Sequence, residues 1–113
     1  MNHVSTHILD LARGKPAAAL NVQLERQDHT GSWHKISSSR TDEDGRCGQL
    51  LLNEESAPGL YRIVFDTGSY FRSLNTTALY PVVEVTFEAR EGDARFHIPL
   101  LLSPHGYTIY RGS

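Results

Sequence analysis

Apolar and polar side chains alternate with a period of two along most of this chain, as in β-strands whose two faces meet different surroundings. Val4, Thr6 and Ile8 share one face of a first strand, with Ser5, His7 and Leu9 on the other. Arg13-Gly14-Lys15-Pro16 breaks the pattern. Asn21 to Arg26 resumes it, with Val22 and Leu24 inward; Asp28 to Gly31 reads as a turn, and Trp33 to Ser39 as a third strand. Asp42-Glu43-Asp44-Gly45 is a further turn, its glycine free to take the positive φ that other residues resist. Tyr61, Ile63 and Phe65 then share a face, and Val83 to Ala89 sets Val83, Val85 and Phe87 against Glu84, Thr86 and Glu88. An acidic turn around Gly92 leads into Arg95 to Leu102, and Tyr107 to Arg111 closes the series.

One segment breaks the rule. Ser69 to Asn75 lacks alternation, and Tyr70, Phe71 and Leu74 line one side of a short helix that Asp66 or Thr67 caps. Roughly seven or eight short strands with one short helix predict an all-β fold, a two-sheet antiparallel β-sandwich. The 113 residues suffice for a single domain spanning 1–113. No β-helix-β alternation and no Gly-rich phosphate loop points to a nucleotide fold.

The outward faces are unusual. Phe96, Ile98, Leu100 and Leu102 form one face of their strand, yet the other carries His97, Pro99 and Leu101. A strand apolar on both faces is covered on both faces. With little chain left to supply that cover, a second subunit is the expected source. His7 and Leu9 repeat the pattern, as do Tyr107, Ile109 and Arg111 against Thr108 and Tyr110. These segments predict an oligomer with a boundary rich in histidine, arginine and tyrosine, and such concave junctions suit small ligands.

Composition removes several function classes. Eleven Lys and Arg against 13 Asp and Glu give a net charge of -2 without any basic run, so neither nucleic acid nor an anionic membrane is an expected partner. No stretch approaches the ~20 apolar residues of a membrane span. The N-terminal segment lacks the basic and apolar regions of a signal peptide, which makes the cytoplasm the expected compartment. Cys47 is the one cysteine and reads as a small, semi-buried thiol. His3 and His7 stand too far apart on a strand for one ion, and no His-Glu-X-X-His run or close Cys/His pair offers a zinc site. No metal and no cofactor is expected.

Ser5-Thr6-His7-Ile8-Leu9-Asp10 is followed by Gly14-Lys15-Pro16-Ala17, then by Thr41-Asp42-Glu43-Asp44-Gly45-Arg46. Later come Gly59-Leu60-Tyr61-Arg62-Ile63, Phe65 to Phe71, Tyr80-Pro81, His97 to Pro104, and Tyr110-Arg111-Gly112-Ser113. In order and spacing this series resembles the 5-hydroxyisourate hydrolases, which share their fold with the hormone carrier transthyretin. Leu79-Tyr80-Pro81 stands where that family prefers paired aromatics, and Arg95-Phe96-His97 where it often has His-Tyr-His.

The resemblance implies a transthyretin-like homotetramer, a dimer of dimers around a central channel. Its active sites lie at the dimer-dimer boundary, built from the residues matching His7, Arg46, His97 and Ser113. The implied reaction opens a cyclic amide of 5-hydroxyisourate to give 2-oxo-4-hydroxy-4-carboxy-5-ureidoimidazoline in urate catabolism. Such a reaction needs a base for water, support for the oxyanion and a proton for the leaving nitrogen. Imidazole serves the first and last tasks near neutrality. His7 is assigned as the base and His97 as its shuttle or orienting partner, with the reverse assignment kept open. Arg46 offers a rigid fork of donors to an anionic ring. Tyr110 and Arg111 are expected to tie the tail into the boundary and, with Arg46 and Ser113, to bind substrate. The alternative is a transthyretin-type carrier of a small aromatic ligand, against which the two histidines and the Tyr-Arg-Gly-Ser tail argue.

Overall fold

The computed structural model describes residues 3–52 and 57–113. Alternation yields strands wherever it was clean: β1 (His3–Asp10), β3 (Asn21–Gln27), β4 (Trp33–Arg40), β6 (Gly59–Phe65), β7 (Val83–Ala89) and β8 (Arg95–Ser103). The two-residue β2 (Lys15–Pro16), β5 (Arg46–Leu52), helix α1 (Thr67–Ser73) and β9 (Gly106–Ile109) complete the order. One sheet runs β4-β3-β6-β7. In the other, β1 lies at the centre, with β8 and then β9 on one side and β2 and β5 on the opposite side. The sandwich is the expected one, and its strands pair antiparallel with one exception. β1 and β8 run parallel, from His3 beside Arg95 to Asp10 beside Leu102.

The inward faces meet between the sheets. Val4, Ile8, Phe96, Ile98, Leu100 and Leu102 pack against Val22, Leu24, Tyr61, Ile63, Phe65 and Val83, all of them buried. Burying a side chain such as Ile63 or Phe65 stabilises the fold by about 1.5–3 kcal/mol relative to leaving it in water. Val85 and Phe87 are only partly buried, packed against the margin of this core.

Helix α1 is too short to stand alone. Asp66 caps it by accepting a hydrogen bond from the Ser69 amide, and Tyr70 and Phe71 bury themselves against the sheets. Tyr70 donates its hydroxyl hydrogen to Asp10 Oδ2 at 2.7 Å, tying the helix to the end of β1. Burial, then the bond to Asp10, pushes the Tyr70 phenol up to about 12.

One strand appears that the sequence reading did not include, and one expectation changes. Arg46 to Leu52 form a strand although their pattern gives no alternation. The last strand ends at Ile109 rather than Arg111, and Gly112 instead makes an isolated antiparallel bridge to His97. That bridge supplies part of the cover expected from a second subunit. Pro99 is buried, and a Cβ built on Gly112 would come within 3.1 Å of its ring, so this chain's own tail lies over it.

Candidate active site

The outer face of β1 carries His3, Ser5 and His7 in alternating order, all of them flanked by neighbours with their own chemistry. On one side, Ser5 lies beside His97 and His7 beside Pro99; on the other, His7 faces Arg46 of β5. Between Val4 and Thr6 the β1-β5 register shifts by a bulge. Bulges next to binding sites re-aim side chains and open a sheet locally. Gly48 lies in the strand segment opposite this bulge, and a Cβ there would meet nothing within 4 Å.

Arg46 is set by the turn that precedes it. Asp42 Oδ1 accepts the amides of Asp44 and Arg46, each at 2.9 Å, and Gly45 completes the turn with φ +75. The same turn reaches β1 twice: the Ile8 amide donates to the Gly45 carbonyl at 2.8 Å, and His7 Nε2 lies 2.9 Å from the Asp44 carbonyl. An N–H at Nε2 makes that a hydrogen bond and leaves Nδ1 of His7 as the ring's acceptor.

His97 is held on two sides. Its Nδ1 lies 2.8 Å from Ser5 Oγ, and its backbone carbonyl accepts the Gly112 amide at 2.7 Å. The value for His97 falls below the ordinary 6.5 of an imidazole, first through burial and then through the positive charge of His7, Arg46 and His3. Both effects favour the neutral ring.

These groups border a cleft of about 370 Å³. Arg46, His97 and Ser113, drawn from three separate parts of the chain, line it together. His3, Ser5, Thr6, Gly48 and Arg95 complete the lining, with no aspartate or glutamate side chain among these residues. Arg46 and Arg95, the two guanidinium groups in its wall, favour an anionic ligand. His7 stands next to Arg46 in the sheet but outside this lining.

Tyr110 and Arg111 point elsewhere within the single chain. They line an apolar groove with Val85, Phe87, Phe96 and Ile109, and the Arg111 guanidinium sits 4.4 Å from the Phe96 ring centre. A larger cleft of about 500 Å³ on the four-stranded sheet, bordered by Gln23, Ser39 and Val64, contains no histidine. Among the described residues no three His, Cys, Asp or Glu side chains are grouped to hold a metal ion. No helix among them is long and apolar enough to cross a membrane.

Gly112 packs closely against His97. A Cβ on it would lie 2.7 Å from His97 Cδ2 and 3.1–3.2 Å from Pro99. The Gly112→Ala variant should therefore push the tail away from His97 and displace Ser113 from the cleft. Misplacement on the scale of 1 Å costs about 100-fold in rate. Steady-state kcat/KM is expected to fall by that order while the thermal midpoint barely moves; unchanged kinetics would show that the tail has no part in the site.

A two-sheet sandwich with a central parallel pair, and imidazoles and guanidinia gathered on one outer sheet face, defines a transthyretin-type sandwich with a cationic surface cleft. The sequence matches the HIUase/Transthyretin family over residues 4–112, and the chain belongs to that family. It is 42% identical to the 5-hydroxyisourate hydrolase of Salmonella dublin, over 99% of this chain and 82% of that protein. Identity to the mouse 5-hydroxyisourate hydrolase is also 42%, covering 97% of this chain and 94% of the other. Among solved structures, Klebsiella pneumoniae 5-hydroxyisourate hydrolase superposes with a TM-score of 0.86 at 28% identity, covering 99% of this chain and all of its own. Sea bream transthyretin in complex with thyroxine gives 0.91 at 32% identity, covering 96% and 93%.

Sequence reasoning missed His3, Ser5 and Arg95 as parts of the cleft. Strand parity had the signal for two of them, because His3 and Ser5 fall on the same face as His7.

Proposed function

We propose that this chain is a 5-hydroxyisourate hydrolase, opening one cyclic amide of its substrate with water to give 2-oxo-4-hydroxy-4-carboxy-5-ureidoimidazoline in urate catabolism. The observation that carries the reading is the convergence of Arg46, His97 and Ser113 on one cleft, with His7 beside Arg46. Relatives named for this activity match nearly the whole chain.

His7 takes a proton from water through the ring nitrogen that the Asp44 carbonyl leaves open. Arg46 holds the anionic ring and supports the oxyanion as the tetrahedral intermediate forms. His97, whose neutral form burial and its cationic neighbours favour, takes up that proton and delivers it to the nitrogen as its bond to the carbonyl carbon breaks. The Ser113 hydroxyl or its α-carboxylate binds substrate or the attacking water. Tyr110 and Arg111 join substrate binding only where a neighbouring subunit brings its own tail across the boundary.

That boundary belongs to a homotetramer, a dimer of dimers. The half-buried Leu9 and Leu101 on the five-stranded sheet and the exposed Leu11 in the turn just after β1 support it. So does the apolar groove between β7 and β9, rimmed by the exposed Tyr110. A second copy over the cleft closes a site that one chain leaves open.

The test follows the ultraviolet signal of freshly made 5-hydroxyisourate. Added protein should speed its loss, and deleting Arg111 to Ser113 should abolish the acceleration. A protein that binds substrate without speeding its decay is a carrier, as the likeness to sea bream transthyretin allows, and that result overturns the hydrolase reading. The His97 ring should titrate below 6.5 when followed by NMR. Arg46→Met removes one depressing charge, so its titration should move up. The sign for stability follows: the unfolded chain binds this proton first as pH falls through 6.5, so the stability the neutral ring contributes is complete above 6.5 and lost in more acid solution.

A further inference from the structure

Ser5 lies directly beside His97 in the parallel β1-β8 pairing, with its Oγ 2.8 Å from the ring's Nδ1. Strand pairing alone does not account for that bond. Ser5 falls within the bulge and has no Cα partner on β5, and its side chain, only 7% exposed, lines the cleft. We propose that Ser5 is the positioning residue for His97, its hydroxyl holding Nδ1 so that Nε2 is the nitrogen presented to substrate. This assignment rests on the cleft being the hydrolase site.

The ring is gripped from both sides of its attachment. Ser5 engages Nδ1, and Gly112 backs onto Cδ2. What remains for the cleft is the Cε1–Nε2 edge.

A hydroxyl suits this task for a physical reason. It donates and accepts, so its bond to Nδ1 survives gain or loss of a proton at Nε2. A carboxylate in its place would favour the imidazolium and retain the proton that a shuttle must release. The charged and titratable groups facing His97 are His3 and His7 from β1, Arg46 from β5 and Arg95 from its own strand, with Ser113 across the cleft. Ser5 adds orientation to that set without adding charge.

The experiment pairs kinetics on 5-hydroxyisourate with imidazole ¹⁵N NMR of the substrate-free protein, for wild type and Ser5→Ala. Removing an outer-shell partner of a working histidine typically costs about 10- to 100-fold. Here that loss should fall on kcat, with KM held within about twofold and the thermal midpoint nearly unchanged. The His97 Nδ1 resonance should shift in the variant, where that nitrogen loses its hydroxyl partner, and the ring signals should broaden as its orientation is freed. A variant with wild-type kcat and unaltered His97 ring signals overturns the assignment. If wild type fails to turn over 5-hydroxyisourate, the hydrolase reading falls separately. The NMR comparison then still decides whether Ser5 orients the ring.

Discussion

Replacing His97 by alanine is expected to lower turnover of 5-hydroxyisourate by about three orders of magnitude while the chain stays folded. A positioned proton donor or acceptor contributes about 10²–10⁴ to a rate. The other two imidazoles are held differently: His3 lines the same cleft but sits beside Arg95, away from Ser5 and Gly112, and the His7 ring is engaged with the Asp44 carbonyl. The structural cost is small, because the ring lies on the outer face and is only half-buried. Its removal leaves the Ser5 hydroxyl without that partner, a loss of about 1 kcal/mol. Arg46→Ala should cost about 10²–10³, the usual worth of one oxyanion donor, with KM rising as well because the anionic ring loses its counter-charge. Near-normal turnover in either variant would remove the corresponding residue from the mechanism.

The largest effect on stability is expected at Gly45. Its φ of +75 lies where side chains are strained, and an added Cβ would run into the Ile8 carbonyl, with Pro16 Cβ at 3.1 Å. Neither obstacle is the end of a flexible side chain. Ile8 is fully buried, and its amide already bonds the Gly45 carbonyl. The Gly45→Ala variant should lose about 3 kcal/mol or more in urea unfolding, combining backbone strain with displacement of a packed strand. Gly14→Ala is the matched control: its φ is +68, yet nothing lies within 4 Å of the new Cβ, so about 1 kcal/mol is expected there. Equal losses at the two positions would mean that strain alone matters and that the close approach to Ile8 is unimportant. Because the Gly45 turn also carries Arg46 and reaches His7, the folded fraction of the Gly45 variant should be a poor catalyst too.

The fold was readable where one face of a strand is buried and the other is not. Val22 with Leu24, and Tyr61 with Ile63 and Phe65, announced their strands because a period of two follows from the pleat. β5 was hidden for a definite reason. Its buried Cys47 and Leu50 stand three residues apart, since the bulge opposite β1 breaks parity within the strand. The parallel pairing of β1 with β8 was equally invisible, because periodicity describes a strand and not its neighbour. For the site, parity placed His7 and His97 off the core faces, and family resemblance supplied Arg46 and Ser113. The cover over Pro99 was assigned to another subunit because no pattern reveals a tail that folds back through one bridge. Tyr110 and Arg111, grouped with Ser113 by sequence adjacency, separate from it in space because the chain leaves β9 after Ile109.

The parallel neighbourhood of β1 and β8 also governs how the molecule is made. Ser5 and His97 are 92 positions apart, so the middle of the five-stranded sheet cannot form until β8 has been synthesised. Three strands of the opposite sheet, β3, β4 and β6, are complete by Phe65, and β7 follows at Val83–Ala89, just before β8. A newborn β1 therefore waits with a bare edge, and contacts of such long range make folding slow and the waiting strand a site for mispairing between nascent chains.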